Sequence, residues 1–127
     1  MKKTITVLFL LFIIVGCSKS NFPSDLKQVE VYEMASFSET VDESLNTFTN
    51  KNEIGVFTNA FETAKRESGT ADMADPQYKV ILGDNTYYMW LPEEAGNMYG
   101  SFMDVTDTHT LYVLSRQYTD ELVGVLK

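Results

Sequence analysis

Residues Thr86 to Leu91 read TYYMWL, and laid out as a strand they leave no polar face. Successive side chains of a strand point to opposite sides, so Tyr88 and Trp90 share one face while Tyr87, Met89 and Leu91 share the other. A strand apolar on both faces belongs in the middle of a sheet, covered on each side, and one of its faces can line a groove. Just upstream, Tyr78 to Leu82 (YKVIL) reads as a second strand, and Gly83-Asp84-Asn85 as a three-residue hairpin loop containing glycine. The chain is therefore built around an antiparallel hairpin.

Other elements arrange themselves about that centre. Gln28 to Met34 (QVEVYEM) alternates at the period of two and gives a first strand. Ala35 to Thr49 has no clear period, with Val41, Leu45 and Phe48 as its candidate core contacts. Asn50 followed by Glu53 resembles a capping box, after which Ile54, Phe57, Phe61 and Ala64 line one helical face. Glu62, Lys65, Arg66 and Glu67 fall mostly on the other side, and Gly69 is a natural stop. Pro92 ends the TYYMWL strand. Tyr99–Val105 and His109–Leu114 form two more strands joined by Thr106-Asp107-Thr108. Ser115 caps a closing helix that turns Tyr118, Leu122 and Val125 or Leu126 inward. The expectation is a single α+β domain: a mostly antiparallel sheet of about five strands, one helix after the first strand and one C-terminal helix.

The N-terminus is of another kind. Lys2 and Lys3 precede an apolar run from Ile5 to Val15, closed by Gly16 and the only cysteine, Cys17. A basic start, a short apolar stretch and a small residue make a secretory signal, too short for the roughly 20 residues a spanning helix needs. Ile14-Val15-Gly16-Cys17 resembles the bacterial lipobox, which implies a diacylglycerol thioether on Cys17 and cleavage after Gly16. Two acyl chains anchor stably where one does not. The expected organisation is a lipoprotein signal peptide at 1–16, lipidated Cys17 with a flexible polar tether over 17–26, and a globular domain over 27–127.

Lys2 and Lys3 are two of the ten basic residues, so the chain from Cys17 carries eight against eighteen acidic, a net charge of −10. That balance opposes nucleic-acid binding, which relies on Lys and Arg neutralising phosphates, and electrostatic docking on anionic lipid or wall polymer.

Two segments invite chemistry. DMADPQY (Asp72–Tyr78) and DVTDTHT (Asp104–Thr110) each carry a D-x-x-D pair, and the second holds the only histidine, His109. Asp72, Asp75, Asp104, Asp107 and His109 could together hold a cation, but neither segment has the calcium-loop spacing. Zinc needs three or four ligands where one His and no spare Cys are present. The local reading is that Asp side chains cap their own turns. His109 could serve as a general base, yet no G-x-S-x-G marks a nucleophile, and on the last strand it shares a face with Leu111 and Val113 as a half-buried histidine. Trp90 and its aromatic neighbours pack in the core or stack on a ligand such as a sugar. The candidate ligand or partner surface is thus Asp72, Asp75, Trp90, Asp104, Asp107 and His109, with no metal, no cofactor and no catalytic residue assigned.

Taken together, FTNAFETAKRESGTADMADPQYKV (57–80), YYMWL (87–91) and FMDVTDTHTLYVL (102–114) resemble the small lipoproteins of bacilli and relatives that carry a YhfM-like domain. The resemblance runs from about Val29 to Leu126. It implies a lipid-anchored protein on the outer face of a Gram-positive cytoplasmic membrane, and it brings no activity and no catalytic residues with it. The expected function is a non-catalytic binding module of the envelope, engaging a protein or small ligand. The alternative is a small hydrolase or cation-binding protein using the Asp-rich turns and His109.

Overall fold

The computed structural model describes Phe22 and residues 25–69, 71–96 and 98–127. In chain order the elements are β1 (Val29–Glu33), β2 (Asn46–Phe48), α1 (Lys51–Glu62), β3 (Lys65–Arg66), β4 (Tyr78–Leu82), β5 (Asn85–Trp90), β6 (Ser101–Asp104), β7 (Asp107–Val113) and α2 (Arg116–Leu126). They form one antiparallel sheet in the order β2-β1-β4-β5-β6-β7-β3. β5 is the middle strand, as its two apolar faces require.

The α+β class is as expected, but the sheet has seven strands rather than about five, and the first helix follows β2 rather than the first strand. The two additions are edge strands of three and two residues. α1 ends at Glu62, with the Thr63 N–H on Asn59 O, well before Gly69. Lys65 and Arg66 leave the helix to pair with Val113 and Tyr112, covering the open edge of β7. The β4–β5 connection is tighter than three residues, because Leu82 already pairs with Asn85. Gly83 takes φ +60, as the first central residue of a type II′ hairpin turn must.

Both helices have their apolar sides in the same core. From the sheet come Val29, Val31, Val80, Leu82, Met89 and Phe102, and from the helices Ile54, Phe57, Phe61, Leu122 and Val123. Asn50 Oδ1 accepts from Asn52 N and Ser115 Oγ from Tyr118 N, so both helices start on side-chain caps. A run of rings ties α1 to the sheet: Phe61 stacks on Phe102 at 4.1 Å, and Phe102 on Tyr112 at 5.2 Å.

Register gives the sheet two unlike ends. Val29, Leu82, Asn85, Asp104 and Asp107 lie at one, where β4–β5 and β6–β7 make tight turns. Glu33, Tyr78, Trp90, Ser101 and Val113 lie at the other, which carries the β1–β2 loop (34–45) and the β5–β6 loop (91–100). The first is the turn end of the sheet and the second its loop end.

Candidate functional site

The expected site residues do not open onto one cleft. Asp104, Asp107 and His109 belong to the turn end, whereas Asp75 and Trp90 belong to the loop end. Asp104 Oδ1 accepts from Thr106 N at 2.8 Å and Thr106 Oγ1 at 2.7 Å, and Asp107 Oδ1 accepts from His109 N at 3.3 Å. Each carboxylate thus holds its own turn, as a short polar side chain at a turn does. His109 is exposed rather than half-buried. The seven-residue β7 outruns the four-residue β6, and a register shift between Phe102 and Asp104 breaks the simple alternation of faces. Asp72 lies apart, beside a depression of about 230 Å³ that Leu111 and Met73 also line. Among the described residues no group of three or more His, Cys, Asp or Glu is placed to hold a metal ion.

Trp90 is pinned. On the face away from the main core, Tyr88 pairs with Met103 and Trp90 with Ser101. The segment leading from β3 to β4 first follows β7, with Glu67 N on Leu111 O and Ala71 N on His109 O. It then reaches Trp90, whose Nε1–H is shared between Ala74 O at 3.1 Å and Asp75 O at 3.2 Å. Pro76 is buried at its end, and Gln77 Oε1 accepts from Leu91 N. DMADP is therefore a strap on the outer face, and Met103, only 2% exposed, is buried on that face. Phe37 covers more of it, edge-on to Tyr88 at 5.4 Å and to Trp90 at 6.2 Å, while the Tyr88 hydroxyl donates to Phe37 O. Lys79 Nζ sits 4.6 Å over the Tyr32 ring.

The loop end shows what the sequence did not. Among the described residues the exposed large hydrophobic side chains are Phe37, Val41, Leu45, Met98 and Tyr99, and all five lie on its two loops. Val41 and Leu45 were candidate core contacts, but only Phe48 of that trio is buried. The β1–β2 loop is firmly built: Met34 bridges Thr40, Ala35 N bonds Glu39 O, Val41 N bonds Glu33 O, and Ser44 Oγ joins Glu33 N to Val41 O. The β5–β6 loop is held by α2. Gly96 N donates to Asp120 Oδ1, Gly100 N to Thr119 Oγ1, and Lys127 Nζ to Pro92 O and Glu93 O. Arg116 lies over the Tyr99 ring. Met98 is 65% and Tyr99 56% exposed on a loop fixed from both sides.

At the turn end, Phe22 lies in the stretch expected to be a tether, yet it is buried. It meets Phe61 and Tyr87 edge-on at 6.4 and 6.2 Å, and Leu26 packs against the core behind it. One aromatic residue in a polar run was the only signal available. Burial, helped by Asp104 and Tyr112, pushes the Tyr87 phenol up to about 12. Burial and then Glu33 raise Tyr78 in the same direction. Between this N-terminal segment and α1 runs a groove of about 580 Å³ lined by Asp25, Lys27, Lys51 and Thr58 among others.

Cys17 and the apolar run before it lie outside the described residues, and among the described residues no helix is long and apolar enough to cross a membrane. Neither a curated protein nor a solved structure matches the chain. The YhfM protein family model matches residues 27–127, nearly all of the described domain, and the chain belongs to that family.

Proposed function

We propose that the protein is a lipid-anchored binding module on the outer face of the cytoplasmic membrane, held by a diacylglycerol on Cys17, whose loop end docks a protein of the cell envelope. The observation that carries this is the placement of Phe37, Val41, Leu45, Met98 and Tyr99 at one end of the sheet, on one loop fixed by its own hydrogen bonds and another held by α2. Apolar side chains that a rigid loop withholds from the core are available to a partner. Tyr99 also lines a depression of about 370 Å³ with Val113 and Arg116, but apolar side chains spread over two loops suit a protein surface better than a small ligand. The lipobox-like Ile14-Val15-Gly16-Cys17 supports the anchor.

The hydrolase and cation readings draw less support, because Asp104 and Asp107 are engaged by their own turns. A photo-cross-linking residue at Met98 or Leu45 in living cells tests the docking surface, with Thr47 as the control position. The proposal expects one envelope-protein adduct from the first two sites and none from the third, lost on Tyr99→Ser. No adduct, or the same adducts from Thr47, refutes it.

A further inference from the structure

We infer that the domain stands on the bilayer by its turn end, with the β4–β5 and β6–β7 turns toward the lipid and the two apolar loops turned outward. This rests on the anchorage proposed above. Phe22 is 8% exposed and wedged between Phe61 and Tyr87. It also lines a depression with Asn85 and Asp104, residues of the turn end. The working leash therefore runs from Cys17 to Phe22, five positions, and not from Cys17 to the start of β1 at Val29, twelve positions.

The lengths decide the geometry. At about 3.3–3.6 Å per residue, five positions reach at most ~18 Å and twelve reach ~43 Å. A folded domain of this size has a radius of gyration near 13 Å, hence a diameter of roughly 30 Å. The long leash would let any face meet the lipid. The short one cannot carry the loop end around to the membrane while Phe22 stays seated. Attraction to anionic lipid does not set this pose, because Asp84, Asp104 and Asp107 lie at the turn end. Covalent reach does. The pose holds Met98 and Tyr99 farther out by the length of β5, six residues or about 20 Å, and keeps the docking loops clear of headgroups.

The test uses the full lipidated protein, in which alkylation of Cys17 makes an introduced cysteine the only thiol. A donor dye goes on Asp84→Cys at the turn end or Glu94→Cys at the loop end. Each protein is reconstituted into phosphatidylcholine–phosphatidylglycerol vesicles with a headgroup-labelled acceptor lipid, and the mass of the N-terminal peptide is read in parallel. Energy transfer is expected to be higher from position 84 than from 94, and the gap to be lost on Phe22→Ala. Equal transfer, or higher transfer from 94, with lipid present on Cys17 overturns the orientation alone. A Cys17 without lipid overturns the anchorage and the orientation with it. The comparison of the two dye positions stands whether or not the Phe22 variant folds.

Discussion

Thr119 is the side chain on which the β5–β6 loop hangs, and its hydroxyl can be removed at almost constant volume. It is fully buried, donates to Ser115 O at 2.8 Å and accepts from Gly100 N at 2.9 Å. Ser115 O keeps a second donor, Thr119 N at 2.9 Å, so Thr119→Val leaves that carbonyl paired. Gly100 N–H has no such reserve and would be left buried and unpaired, which costs about 1–3 kcal/mol. For a domain of roughly 100 residues each kcal/mol is about 4–8 °C in Tm, so a fall on the order of 10 °C is expected. Thr119→Ser keeps both bonds and loses one buried methyl, about 1 kcal/mol. Urea unfolding gives the energies, and amide exchange separates the causes: Gly100 should stay protected in Thr119→Ser and exchange freely in Thr119→Val. A valine variant within 0.5 kcal/mol of the parent, or with Gly100 still protected, refutes the reasoning.

Three further outcomes follow from the same packing. Gly100→Ala places a Cβ 2.8 Å from Leu91 Cδ2, 3.0 Å from Leu114 Cδ1 and 3.1 Å from Trp90 O, and the carbonyl cannot yield; a loss of about 1–3 kcal/mol is expected by urea titration. Trp90→Phe deletes the indole donor shared by Ala74 O and Asp75 O, so limited proteolysis should cut the strap between Glu67 and Asp75 faster, at a stability loss of about 1 kcal/mol. Tyr87, pushed up to about 12 from 10, keeps its proton in the folded state while the unfolded chain loses it. Its contribution is complete below pH 10 and fades as pH rises through 12, so from pH 9 to 11 it drains on the order of 1 kcal/mol of stability. In Tyr87→Phe the pH dependence over that interval should shrink by that amount, and an unchanged slope would exclude Tyr87 as its source.

What the sequence made legible was whatever repeats. The two hairpins alternate over several residues and carry glycine or Asp at their turns, and α1 and α2 show apolar spacing after Asn50 and Ser115. β2 and β3 are too short to have a period, and Lys65–Arg66 sits in a run of residues as comfortable in a helix. Only the unpaired edge of β7 draws it out, a tertiary demand that local propensity cannot report. His109 lies two residues past Asp107, where β7 begins beside the register shift, and is exposed there, which the period of two does not report. Val41 and Leu45 were misread because an apolar residue in an aperiodic stretch carries no mark of facing outward. The Asp-rich segments form turns and a strap, whereas Phe22 is a lone aromatic in a polar run and Met98 and Tyr99 stand at the entry to a strand, with nothing in the sequence to mark them as facing outward.

The anchor at Cys17 underlies the proposed function and the orientation alike, and one measurement addresses it directly: the mass of the N-terminal peptide of the protein isolated from membranes. The account predicts a chain that begins at Cys17 and carries a diacylglycerol thioether, with Cys17→Ser left uncleaved and unlipidated. A membrane-derived chain that begins elsewhere, or that bears a free Cys17 thiol, contradicts it.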